Sequence, residues 1–143
     1  MKFNIRVYGI LVFDNKIFLT NENRFGKEFT KFPGGGLEFG EGTKECLKRE
    51  FKEEFSLDIK VKKLLYLNDF YQQSAFSNND QIISIYYIVN PVNEDFKPSE
   101  IKPNNATESP KWKDINELSV KDLTFPIDKH LVDQVLPSYF KHL

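Results

Sequence analysis

The stretch from Pro33 to Phe55 constrains this chain more than any other: Pro33-Gly34-Gly35-Gly36 is followed by Arg49, Glu50, Glu53 and Glu54 at helical spacing. Three successive glycines let a backbone carbonyl or N–H approach a partner closely, although the same residues could serve only as a tight turn. Thr43 can act as N-cap of a helix ending near Phe55. At about 100° per residue, Leu47, Phe51 and Phe55 fall on one stripe, and Glu50, Glu53 and Glu54 fall on the next with Cys46. One edge packs and the adjoining edge is acidic.

The acidity alone demands nothing. Glu50 repels Glu53 and Glu54 by a few tenths of a kcal/mol each, roughly what the Glu45–Arg49 and Arg49–Glu53 pairs recover, and a charged helix is ordinarily a solvated face. It is the glycine turn feeding the acidic stripe that meets the needs of a divalent cation and a phosphate. The segment has neither the Gly-Lys-Ser/Thr ending of a P-loop nor the Gly-x-Gly-x-x-Gly of a dinucleotide fold, and it does not follow the EF-hand spacing.

The remaining pattern alternates short strands with few helices. Lys2 to Phe13 and Lys16 to Thr20, broken at Asp14-Asn15, read as a hairpin; Asn21 to Lys27 reads as a polar loop, and Glu28 to Phe32 as the strand that delivers the glycine turn. Asp58 to Tyr71 and Gln81 to Val89 read as long strands separated by a polar loop. Prolines 91, 98, 103 and 110 make residues 90–110 a long surface loop, followed by a short strand at Lys111-Trp112-Lys113 and a helical turn from Asp114 to Leu118. Ile127 to Phe140 could form a last helix that Pro137 kinks or ends. Length of 143 residues and 40% hydrophobic content fit a single domain, residues 1–143, with one core.

A formal net charge of −1 gives no overall pull toward nucleic acid or anionic membrane. The lone Cys46 excludes an internal disulfide, and no run of about 18 apolar residues or cleavable leader is visible, so a cytoplasmic location is expected. An exposed aromatic strand could support a homodimer.

Gly35, Glu41, Arg49, Glu50, Phe51, Glu53, Glu54 and Leu57 together resemble the Nudix box, G-x5-E-x7-R-E-U-x-E-E-x-G-U, where U is a bulky apolar residue. Ser56 alone departs, standing where the pattern has its last glycine. A glycine past a helix end usually takes a left-handed conformation, where a Cβ costs on the order of 1 kcal/mol. Pro33-Gly34 ahead of the box, and Trp112 with Asn116-Glu117-Leu118 far downstream, resemble common features of the same family.

The resemblance implies an α/β fold, an α/β/α sandwich around a mixed sheet, and Mg²⁺- or Mn²⁺-dependent hydrolysis of a nucleoside diphosphate derivative. It makes Glu50 and Glu54 the main metal ligands, with the Gly34 carbonyl and Glu53 as further ones, and Glu53 the residue that deprotonates or orients the attacking water. Arg49 holds the glutamates by ion pairing. Gly35, Gly36 and Glu41 face the substrate; Glu41 could bridge the glycines to the helix, reach a second metal, or simply suit a helix N-terminus. Glu38 is as readily a solvated turn residue as a ligand, and Glu108 is the candidate for an acidic ligand from a distant loop. Phe3, Phe70, Tyr71 and Phe76 are candidate platforms for a base, each equally at home in a core. His130 and His142 read as surface or packing residues. A catalytically silent module that binds a nucleotide or a protein is the alternative to an enzyme.

Overall fold

Hydrophobic alternation says where strands are but not which of them pair, and the computed structural model, which describes residues 1–143, divides the expected N-terminal hairpin between two sheets. In chain order the strands and helix are β1 (Lys2–Ile10), β2 (Val12–Phe13), β3 (Lys16–Arg24), β4 (Lys27–Lys31), β5 (Gly34–Gly36) and α1 (Thr43–Phe55). They continue as β6 (Ile59–Leu67), β7 (Asp80–Pro91), β8 (Glu108–Asp114), α2 (Pro126–His130) and α3 (Leu136–Phe140). The first sheet has the order β5-β1-β7-β6, with β1 and β7 parallel and the other pairs antiparallel. In the second, β3 pairs antiparallel with β2, β4 and β8.

Only Val12-Phe13 turns back on β3, through Asp14 and Asn15 at φ 50° and 63°, as a two-residue hairpin loop requires. The expected loop from Asn21 to Lys27 is instead mostly strand. Phe25 and Gly26, also at positive φ, close a second tight hairpin that carries β3 through Arg24 into β4. Its polar side chains are held at the strand pair: Asn21 accepts the Thr30 hydroxyl, and Glu22 stands 3.7 Å from Lys31. The late loop is shortened in the same way, because β8 starts at Glu108, and Pro110 is tolerated on a strand paired only with β3.

Period-two alternation builds two cores from the same strands. Val7, Phe18, Tyr87 and Val89 face one side, against Leu47, Phe51 and Phe55 of α1. Tyr8, Ile17, Leu19, Tyr86 and Ile88 face the other, against Leu131, Val132 and Leu136 of the C-terminal helical segment. The result is the mixed-sheet sandwich with helices on both sides that was expected.

That C-terminal segment is continuous but widened: between α2 and α3, Leu131–Val135 forms a π-helical turn. Pro137 lacks an N–H and its ring crowds the carbonyl four residues back, and a wide turn just upstream relieves both conflicts without breaking the helix. No helix is long and apolar enough to cross a membrane.

Candidate functional site

The glycines form a strand, not a turn. Gly34, Gly35 and Gly36 lie antiparallel to Tyr8, Val7 and Arg6 at the edge of the first sheet. Two of them could be nothing else: at Gly34, with φ +151°, a Cβ would run into the Val7 carbonyl, and at Gly35 it would lie 2.5 and 2.6 Å from the carboxylate oxygens of Glu50. Close approach, foreseen for a ligand, is used first for the Glu50 carboxylate.

Helix α1 delivers that side chain from below. Its N-cap is Gly42, not Thr43, whose hydroxyl instead meets the Tyr87 hydroxyl at 2.6 Å. Glu45 Oε1 accepts the Gly42 N–H at 3.3 Å and so closes the helix start. At the other end Ser56 does take the left-handed conformation, φ 56° and ψ 32°. Its hydroxyl meets Asn104 Oδ1 at 3.0 Å, while the Asn104 amide donates to the Glu53 carbonyl and its backbone N–H to the Glu54 carbonyl at 2.9 Å. A residue from the long loop thus satisfies helix-end carbonyls beside the serine.

Arg49 organises the front of the site. All five of its N–H groups find oxygen: Glu41 twice at 2.7 and 2.9 Å, Glu50 at 2.9 Å, Gly36 carbonyl at 3.1 Å and Glu53 at 3.2 Å. The predicted pairing with Glu53 is therefore one of several, and the strongest is the bidentate one with Glu41. Glu41 also accepts the Glu38 N–H at 3.0 Å, so it ties the loop after the glycine strand to Arg49 of the helix. The Arg49 hydrogen bonds hold the Glu41 carboxyl down to about 2. Buried Cys46, against Gly36 O, has its thiol pushed up to about 12 by burial and by Glu41. Glu38 is exposed and 3.8 Å from Arg49, the position of a solvated residue.

Behind Arg49 lies a less balanced group. Glu54 and Glu108 each bury one carboxylate oxygen, Oε2, without any hydrogen-bond partner. Burial pushes the Glu54 carboxyl up to about 8, with Lys31 opposing and Glu108 and Glu50 adding to the rise. The distant Glu108 is thus brought to the helix carboxylates, through Lys31, whose Nζ stands 3.5 Å from Glu108 and 3.7 Å from Glu22. Lys31 is buried, and burial alone would lower its pKa, but Glu108 and Glu54 raise it. Glu53, by contrast, is exposed and points to solvent past Arg49. No three His, Cys, Asp or Glu side chains converge on one point. Mg²⁺ is ordinarily held by one or two carboxylates together with waters and phosphate oxygens, and the unpartnered oxygen of Glu54 beside Glu50 is a donor of that kind.

Next to this group opens a cleft with about 950 Å³ of space, counting its open mouth, whose lining includes Arg6, Arg24, Lys31, Phe76, Phe125 and Asp128. Of the aromatic platforms expected, only Phe76 lines it, with Arg24 4.5 Å above its ring; Phe70 packs on His130, while Phe3 and Tyr71 are exposed elsewhere. Arg6, Lys31, Phe125 and Asp128 escaped the sequence reading. Lys31 immediately before Phe32-Pro33 was the one available hint, a cation on a strand leading into the glycines.

A family model described as the NUDIX domain matches residues 3–135. The chain belongs to the Nudix family. Among curated relatives, an ADP-ribose pyrophosphatase of Methanocaldococcus jannaschii is 32% identical over 130 residues, covering 90% of this chain and 71% of the relative. The fold matches the E. coli ORF135 protein with a TM-score of 0.77 at 20% identity, covering 99% and 94% of the two chains. It also matches a NUDIX hydrolase from Nitrosomonas europaea with a TM-score of 0.72 at 22% identity, covering 97% and 89%. This Nudix protein is accordingly an enzyme of the pyrophosphohydrolase class.

Proposed function

We propose that this Nudix enzyme hydrolyses the diphosphate linkage of a small nucleoside diphosphate derivative with the aid of Mg²⁺ or Mn²⁺. The observation that carries the reading is the unpartnered, buried oxygen of Glu54 set beside Glu50, which is itself pressed against Gly35. Buried carboxylates without partners are costly, and a hard cation is the partner that suits them.

Glu50 and Glu54 would hold the cation, with waters and phosphate oxygens completing its shell, and the Gly34 carbonyl, Glu53 and, from β8, Glu108 are the further donors that the family resemblance suggests. When bound, the cation would neutralise phosphate charge and lower the pKa of an attendant water. Glu53, exposed and tethered by Arg49, accepts the proton of the attacking water, while Arg49 and Glu41 keep the glycine strand and the carboxylates in register. Gly36, where a Cβ would meet only Arg6 Nη1 at 3.4 Å, leaves room for the diphosphate, while the space over Gly35 is taken by the Glu50 carboxylate. The buried, unpaired Cys46 suits a cytoplasmic setting.

The jannaschii relative makes ADP-ribose the first substrate to try, ahead of nucleoside triphosphates, NADH, dinucleoside polyphosphates and nucleotide sugars. Purified protein with Mg²⁺ or Mn²⁺ should release nucleotide products from at least one of them and lose that activity in EDTA. Glu54→Gln should lose it by about 100-fold or more, and Glu53→Gln by a comparable factor in kcat. Full turnover by Glu53→Gln would remove that residue from its role, and silence of the wild type across the panel would overturn the reading.

A further inference from the structure

Two arginines flank the glycine strand, and they differ in one decisive respect. Arg49 has every donor satisfied by protein oxygen, whereas Arg6, half-buried on β1, makes a single side-chain hydrogen bond, from Nε to the Tyr8 hydroxyl at 3.2 Å. Its remaining four N–H groups have no protein acceptor. Nor is Arg6 remote, since a Cβ on Gly36 would lie 3.4 Å from its Nη1. Lys31 repeats the pattern: its contacts to Glu108 and Glu22, at 3.5 and 3.7 Å, are longer than the 2.7–2.9 Å of charge-assisted hydrogen bonds. Both cations line the same cleft beside the carboxylates.

A half-buried guanidinium and a buried ammonium with donors to spare, facing one cleft, are costly unless an anion receives them. Arg49 takes the hydrogen bonds of Glu41, Glu50 and Glu53, and Arg6 feels Glu50 and Glu54 only through space, so its donors stay free for an anion in the cleft.

From this we infer that Arg6 and Lys31 form an anion clamp, specific to the cleft side of the site, that receives phosphate oxygens of the substrate opposite the carboxylates. The inference rests on the hydrolytic reading for the identity of the anion, but the clamp itself is testable without turnover. A planar guanidinium can take two oxygens of one phosphate, and the ammonium a third as a point charge. The clamp would thus contribute binding present in the ground state as well as later, raising KM more than it lowers kcat when removed.

The test uses inorganic pyrophosphate as probe, by calorimetry in EDTA, on the full chain and on Arg6→Gln, Lys31→Gln and Lys62→Gln. Lys62 is an exposed residue of β6 and serves as the control for general charge. Arg6→Gln and Lys31→Gln should each weaken pyrophosphate binding by about tenfold or more while Lys62→Gln leaves it unchanged, with Lys31→Arg recovering part of the loss. Should Lys31→Gln fail to fold for want of a partner for Glu108, Arg6→Gln carries the test. With an active substrate, the same variants should raise KM about tenfold at nearly constant kcat. Unchanged pyrophosphate affinity and KM in folded Arg6→Gln would overturn the clamp while leaving hydrolysis standing. Weakened pyrophosphate binding in a chain that hydrolyses nothing would support the clamp and sink the hydrolytic reading.

Discussion

Gly35 shows how much of this site depends on an atom that is missing. A Cβ there would press on both carboxylate oxygens of Glu50, and Glu50 is pinned from the other side by Arg49 at 2.9 Å. The carboxylate could only swing away, and a displacement of about 1 Å at a catalytic group costs on the order of 100-fold in rate. Gly35→Ala is therefore expected to lose roughly that factor in kcat/KM, with a loss of only about 1–3 kcal/mol from overpacking. Steady-state kinetics beside a urea melt would check it; a proportionate loss of fold would mean that the glycine serves stability alone. Residues of this kind were legible from sequence because glycine, arginine and glutamate were placed on one short segment. Arg6 and Lys31 were not, since each reaches the site only through cross-strand register, Arg6 opposite Gly36 and Lys31 opposite Thr20, which no local pattern encodes.

Among the elements, α1 followed its periodicity closely, and its ends held the surprises. Ser56 occupies the left-handed position that favours glycine, yet its hydroxyl is engaged by Asn104, whose backbone and amide also serve the last carbonyls of the helix. Relief of the backbone cost in Ser56→Gly, on the order of 1 kcal/mol, is thus offset by the lost hydrogen bond, and the net change should stay near zero. In an Asn104→Ala background, itself destabilised by about 1–2 kcal/mol, the same substitution should gain most of that 1 kcal/mol. Denaturant melts of the four proteins form the cycle; additive effects would mean that Asn104 does not compensate for Ser56. The hairpins were harder to read. Phe25-Gly26 turns a polar stretch back on itself, so a sequence that looks like a loop is a strand with one wet face.

At the scale of the molecule, two cores share three strands, and the one under the C-terminal helices contains a buried acid. Asp128 accepts the Tyr86 hydroxyl at 2.5 Å, and burial pushes its carboxyl up to about 6 although Tyr86, Lys31, the Phe32 backbone N–H and Arg6 all oppose the rise. Below its ordinary value of 3.8 both folded and unfolded chains hold the proton, and the contribution is fully present. Between about 4 and 6 the unfolded chain releases the proton while the native one keeps it, so stability falls as pH rises, by a total on the order of 3 kcal/mol. Asp128→Asn should flatten this portion of the curve in urea melts taken from pH 4 to 7, and an unchanged slope would show that Asp128 does not carry it.

The general plan of strands and one acidic helix followed from pattern, whereas their pairing did not, because β1 finds β7 by a parallel match of Lys2 with Asp80 and Ile10 with Ile88. During synthesis that distance becomes time. The glycine strand and α1 leave the ribosome early, but the glycines hang on β1, β1 on a strand made much later, and Glu108 arrives later still. At 13 residues helix α1 is marginal alone and depends on the strands that cover its apolar face, and pairings this distant are slow to close. A nascent chain therefore carries the carboxylates of the site well before it carries the strands that complete it.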